Sequence, residues 1–378
     1  MMVVLELLIY FFSLIPYITF FNFGTDLQPW AMLVAIAELI FFMVKSEGKL
    51  FLSRKQMLIY AICIVAIIVV CVFGENLYAG FRDSLAYITI ICISLSSFFI
   101  FSYADGLNEK LVKVIIWIYF VVAFVQKYLY SDFLYFMIAG HRTTSNRGVP
   151  ALTAEPSFYG YICVFLMFFV YDFKRGRLFY WAMLLVQIIL LANSSVTLIY
   201  LGIITVSIVI VNIKTFEWKR IAQIFFASLG IVGVLYHFVQ SNTGSRMTYL
   251  INQLFLHSNL SDGLYSFYKG DHSVFVRVND IIECFDIFIK KLGIPQGSTR
   301  RISSGYGSLM VEMGIFGVIL IYLFATVIYK GYYKNEGIVL AVSVTCMMFS
   351  AIQLATPVFS LFLGYCMFRS KKINQFSQ

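Results

Sequence analysis

Apolar runs of about 17–25 residues recur from one end of the chain to the other, separated by short charged stretches, and each is long enough to cross a bilayer as a helix. A helix satisfies its own backbone hydrogen bonds in lipid and an open sheet does not, which fixes the fold class as all-α. The chain is 61% hydrophobic and 12% charged. Soluble domains carry roughly 25% charged residues, so no soluble fold of this length fits. The first run, Val3 to Phe21, has neither a basic leader nor a small-residue cleavage site after it, and it is predicted to be a retained span.

The pattern predicts a polytopic membrane protein of about twelve spans, forming one membrane domain over 1–378. The spans fall near 3–21, 29–44, 57–74, 84–103, 111–130, 157–172, 178–192, 196–213, 221–240, 306–329, 338–355 and 357–368. Leu178 to Asn212 runs 35 residues without a charge, and Asn193-Ser194-Ser195 breaks it into two short spans. Thr356-Pro357 breaks the last apolar stretch in the same way, although one tilted span over 338–368 is the alternative.

Basic residues follow the second, sixth, eighth, tenth and last spans, in clusters that include Lys45, Lys174, Arg175, Lys214, Arg220, Lys330, Arg369 and Lys372. All fall on one side if both termini are cytoplasmic, as the positive-inside rule requires. The formal charge of +9 is therefore an orientation signal scattered between spans, and no nucleic-acid partner is expected. Cys284 alone lies outside the spans among seven cysteines, so no disulfide framework is visible.

Two loops then face outward, near 131–156 and 241–304. Connections of this length are usually functional or disordered. Within the longer one, Val274, Phe275, Val278, Ile281, Ile282, Phe285, Phe288 and Ile289 follow a three-to-four spacing, with Arg277, Asp280, Glu283 and Lys290 on the opposite side. That is an amphipathic helix. It would lie on the outer membrane face or pack on the bundle top, turning Arg277 toward water or a polar cleft.

Arg82, Arg142, Arg147, Arg246, Arg277, Arg300 and Arg301 all fall outside, where orientation alone predicts few basic residues. A guanidinium fork suits bidentate contact with phosphate oxygens, so the set points to an anionic ligand such as a lipid pyrophosphate. Pairing with loop carboxylates or lipid headgroups is the plainer account of any single arginine. Glu155 precedes Pro156, a residue suited to a first helical turn, and so sits beside a helix N-terminus at the outer membrane edge. A carboxylate there can orient a sugar hydroxyl or act as general base, or simply start a helix. His141, His237, His257 and His272 also lie outside and are further candidate bases. Glu38, mid-span, marks either a functional site or a hydrogen bond to a neighbouring span. Asp280, Glu283 and Asp286 read as the wet face of the amphipathic helix. No Asp-x-Asp pair, Gly-rich phosphate loop or Ser-x-x-Lys is present, and neither metal nor cofactor is expected.

The string from Arg147 to Gly160, with Glu155-Pro156-Ser157 at a span start, resembles a feature of O-antigen polymerases of the Wzy type. Arg277, the turn Gly293-Ile294-Pro295-Gln296-Gly297 and the stretch from Ser303 through Leu309 and Glu312 to Gly317 are similar to the wider O-antigen ligase and polymerase superfamily. The resemblance implies an enzyme of the bacterial inner membrane with a periplasmic site. It would move growing glycan from one undecaprenyl pyrophosphate onto another lipid-linked repeat unit, without a metal. It implies that Arg142 or Arg147, together with Arg277, bind the pyrophosphate, with Arg246, Arg300 and Arg301 drawn from the same loops. Glu155 or a nearby histidine, His272 among them, would be the base. A chain-length regulator is a possible protein partner. Ligases carry a histidine before the span that starts here near Gly305, whereas this chain has Ser303 and Ser304, which argues against ligase. A flippase or transporter is the alternative from a different class, favoured only by Glu38 and the two short spans.

Overall fold

The computed structural model describes residues 2–21, 26–46, 52–74, 77–142, 148–212, 272–298, 302–350 and 352–376. The span expected at 221–240, most of the loop at 241–304, and Arg147, Arg246, Arg300, Arg301, His237 and His257 lie outside the described residues.

Thirteen α-helices account for almost all regular structure among the described residues. They are α1 (Met2–Leu14), α2 (Trp30–Lys45), α3 (Arg54–Val72), α4 (Leu77–Tyr103), α5 (Glu109–Tyr128), α6 (Pro156–Val170), α7 (Arg177–Val186), α8 (Ser195–Asn212), α9 (His272–Lys290), α10 (Gly305–Met313), α11 (Ile315–Lys330), α12 (Lys334–Ser350) and α13 (Pro357–Phe376). No strand occurs among the described residues, only an isolated antiparallel bridge between Ile18 and Ile138. Helices α3, α4 and α5 are, by length and composition, long and apolar enough to cross a membrane, as expected of a membrane-associated helical protein.

Helix α6 is apolar on every side and is accordingly central. All of its residues are buried except Ser157 and Phe158, in its first turn. Phe165 and Phe169 meet Phe362 of α13 at ring separations of 5.8 and 5.6 Å. Helix α4 packs against α2, α3 and α13, burying Tyr87, Phe98 and Phe101. At one end of the bundle Asp172, just beyond α6, accepts from Tyr365 at 2.8 Å and Arg369 at 2.5 Å. At that same end Lys372 meets Asp105 (2.9 Å), the Lys174 amide meets Glu109 (2.8 Å), and the Lys45 ammonium lies 4.3 Å from the Tyr103 ring centre. The structure thus gathers basic residues from three separate segments at one end.

The opposite end is irregular, and two expected spans change there. The first helix stops at Leu14, ahead of Pro16, because a residue preceding proline is pushed out of the helical region. Residues 17–19 then pair with the 137–139 stretch, through Thr19 N to Met137 O (2.9 Å) and Ala139 N to Tyr17 O (3.1 Å), instead of continuing a span to residue 21. The span expected at 306–329 is two helices, α10 and α11, bent at Gly314. Gly314 has φ +55°, and a Cβ there would lie 2.0 Å from the Gly293 carbonyl oxygen. The breaks at Asn193 and at Pro357 fall where the sequence puts them. Residues Gln187–Ala192 form a π-helix turn ahead of Asn193, which takes φ +42°.

Replacing Gly314 by alanine combines a disfavoured φ with a backbone clash, and is expected to lower stability by at least about 1–3 kcal/mol. Gly202, where a Cβ meets nothing within 4 Å, is the matched control and should tolerate alanine. Thermal unfolding of the two purified variants in detergent checks this.

Candidate functional site

The irregular end is built around the start of α6. Pro156 occupies the first helical position and Glu155 the N-cap, with extended backbone (φ −144°, ψ 153°). The Glu155 side chain does not cap the helix. It turns back instead, taking the Ser157 hydroxyl at 3.2 Å and standing 3.3 Å from Arg142 Nε. The backbone of Arg142 is fixed by its own amide, which donates to the Ala154 carbonyl at 2.8 Å. Its guanidinium also donates to Asp26. Arg142 is therefore braced between two carboxylates and holds Glu155 in place.

Arg277 reaches the site from α9. One guanidinium nitrogen, Nη2, donates to Ser157 Oγ at 3.4 Å. The other, Nη1, is buried and has no hydrogen-bond partner among the described residues. Such a buried donor carries a desolvation cost of about 1–3 kcal/mol until an acceptor fills it. Two of the expected residues, Arg277 and Glu155, thus meet through Ser157, and Arg142 joins them through Glu155. His272 begins α9, five residues before Arg277.

Beside this row lies a small open cleft with room for about one water molecule, lined by Tyr17, Asp26, Leu27, Phe158, Tyr161, Gln353 and Thr356. Phe158 stacks on Tyr17 with ring centres 5.4 Å apart, and the hydroxyls of Tyr17 and Tyr161 are 2.8 Å apart. Aromatic rings bearing a few polar groups are a common lining for small-ligand sites. Sequence reasoning missed Asp26, Tyr17 and Gln353. The partners of Asp26 and Tyr17 are more than a hundred residues away along the chain, and no local pattern marks any of the three.

The remaining candidates sit elsewhere. Arg82 pairs with its neighbour Asp83 at 2.7 Å, and Asp83 accepts from Ser298. Nearby, the buried Glu312 accepts from Tyr87 at 2.6 Å. These contacts anchor the turn at 293–298, whose Gln296 and Gly297 amides donate to the Val311 and Glu312 carbonyls (both 3.1 Å). Glu38 is buried and accepts from Ser96, the hydrogen bond to a neighbouring helix that was one of its two readings. Asp280 meets Ser303 while Asp286 pairs with Lys290 at 2.7 Å, so the acidic residues of α9 point apart. No group of three or more potential metal ligands occurs among the described residues.

His141 lies against Tyr135, with ring centres 3.5 Å apart and Nε2 buried without a partner among the described residues. Burial pushes its pKa below the ordinary 6.5, against an opposing pull from Asp132.

No family model matches the chain, and no curated protein or solved structure matches it.

Because the folded-state pKa of His141 is depressed, the unfolded chain binds the extra proton first as pH falls. The stability that His141 contributes is complete above about pH 6.5 and is lost as pH drops through that value toward the lowered one. Hydrogen exchange of residues 131–142, corrected for intrinsic rates, should show weaker protection on acidification. His141→Phe should remove that dependence.

Proposed function

We propose that the chain is an O-antigen polymerase of the Wzy type. In this reading it spans the bacterial inner membrane about twelve times, with both termini cytoplasmic and the α6 start facing the periplasm. The substrates are two undecaprenyl-pyrophosphate-linked glycans, a donor and an acceptor, and a chain-length regulator is an accompanying protein partner. The observation that carries the reading is Arg277: a guanidinium with one nitrogen bonded to Ser157, whose chain neighbour Phe158 lines the aromatic cleft, and the other nitrogen buried without a partner among the described residues.

The chemistry follows from those positions. The donor pyrophosphate docks on Arg277, and its first sugar lies over the Tyr17 and Phe158 rings at the mouth of the cleft. The acceptor hydroxyl attacks the anomeric carbon, and the bond from that carbon to the pyrophosphate oxygen breaks, its electron pair leaving with the pyrophosphate. Charge on the departing group rises as the bond lengthens, so a pre-placed guanidinium stabilises the transition state more than the bound substrate. Glu155 takes the proton of the acceptor hydroxyl. Arg142 and Ser157 hold that carboxylate in position, so Arg142 acts through Glu155 in this scheme. Arg147, Arg246, Arg300 and Arg301 remain further pyrophosphate contacts proposed on sequence grounds, and His272 is the second candidate base.

Deleting the gene in its host should leave lipopolysaccharide with single repeat units on the core. Lipid-linked polymer that never reaches the core would indicate a ligase instead, and absence of any exported unit would indicate a flippase. Restoring the gene as Arg277→Ala, at unchanged protein level, should give the single-unit pattern, with turnover reduced about 100- to 1000-fold as for loss of one oxyanion donor. A normal ladder from that variant removes Arg277 from the reaction.

A further inference from the structure

The side chains of α9 divide among three environments, not two. At roughly 100° per residue, Arg277, Asp280, Ile281, Cys284 and Phe288 share one arc. These are the side chains turned to the protein. Cys284 is 1% exposed, Arg277 bonds Ser157, and Asp280 bonds Ser303. A second arc carries Ile282, Phe285 and Ile289, which are 58%, 42% and 67% exposed; Phe285, at its inner edge, stacks on Phe349 of α12 with ring centres 5.7 Å apart, and Ile282 and Ile289 stand clear. A third carries Glu283, Asp286 and Lys290, with Asp286 and Lys290 paired at 2.7 Å. A helix standing in water above a bundle has no use for the second arc, since exposed contiguous apolar surface marks a contact with protein or membrane.

The course of the chain identifies that contact. The apolar arc leads through the exposed Leu292 and Ile294 to Ile315, Phe316, Ile319 and Tyr322, exposed side chains in the first half of α11. The junction is fixed by the Ile315 amide, which donates to the Gly293 carbonyl at 2.9 Å. Helix α11 is an apolar helix packed on α10, α12 and α13, and its outward side is apolar, as a lipid-facing side would be. We propose that α9 lies half-sunk in the membrane surface, and that the occupant of its exposed Ile282–Ile289 side is the acyl region of the adjoining leaflet. The charged arc then faces water and the Arg277 arc faces the bundle, the arrangement of an interfacial amphipathic helix with one extra side given to protein. Arg277 is thereby held at headgroup height, where the charged group of a membrane-anchored ligand arrives. The inference concerns how α9 sits and holds whether or not the site transfers a glycan.

The test uses the full chain with its native cysteines replaced, and single cysteines from Ile282→Cys, Ile289→Cys, Glu283→Cys and Lys290→Cys. Each is labelled with an environment-sensitive fluorophore and reconstituted in vesicles of ordinary or acyl-brominated phosphatidylglycerol and phosphatidylethanolamine. Labels at 282 and 289 should emit at shorter wavelength and lose most of their intensity to brominated lipid, while labels at 283 and 290 do neither. Water-like emission at all four positions would overturn the proposal. So would shifted emission at 282 and 289 without bromine quenching, because protein and not lipid would then cover the face. Retention of the far-ultraviolet helical signal in each variant guards against misfolding as the cause of either result.

Discussion

The organising constraint is that backbone groups freed inside a membrane bundle must find protein partners, since lipid offers none and an unsatisfied group there costs several kcal/mol. Every break in the helices near α6 meets this demand with another break. The Val149 amide donates to the Leu191 carbonyl in the π-helix turn (2.9 Å), and the Gly305 amide to Ile352 (2.9 Å). Lys127 donates to Leu190, and the Gln126 amide nitrogen reaches both Phe133 and Ala151 carbonyls at 2.8 and 2.9 Å. Residues 150–154 are consequently buried, an irregular segment packed inside the bundle instead of a loop above it. Gly148 makes the contact possible: a Cβ there would lie 2.0 Å from the Ala192 carbonyl oxygen.

The candidate site is a product of that interlocking. Glu155, Ser157 and Phe158 come from where the buried segment becomes α6, and they are the places at which this central helix meets the open end. Arg142 is carried by the same loop and Arg277 by a helix that packs from outside. The electrostatic outcome differs for the two arginines. Arg142 is matched by Asp26 and Glu155, so its charge is spent on holding geometry. Arg277 has a hydroxyl on one nitrogen and an open donor on the other, so its charge is available to a ligand. A guanidinium in a partly desolvated setting binds an anion more strongly than one in water, because the intervening medium screens less.

The helices were legible in the sequence because their signal is local. Eleven expected spans have helical counterparts beginning or ending within a few residues of the expected limits, and the amphipathic stretch near 274–291 is α9. What was not legible required knowledge of distant partners. Gly314 bends a continuous apolar run because Gly293 packs against it, and nothing within 306–329 announces that contact. Asp26 looks like an ordinary loop acid until Arg142 reaches it. Helical periodicity separates apolar from polar positions on α9, but it cannot divide the polar positions between water and protein: it left Arg277 facing either water or a polar cleft and set Asp280 with the wet face, whereas both turn toward the bundle. Ser157 stood inside the most informative string of the sequence, yet its bridging role needs the approach of a residue 120 positions away.

The account depends on the α6 start and the Asp172–Arg369 cluster lying on opposite sides of one membrane. Single cysteines introduced as Ser131→Cys and Lys174→Cys, in a background with the native cysteines replaced, test this directly in intact cells. A membrane-impermeant thiol reagent should label position 131 from outside the inner membrane, and should reach position 174 only after the membrane is opened. Labelling at 174 and protection at 131 would contradict the account, because the Arg277 site would then face the cytosol.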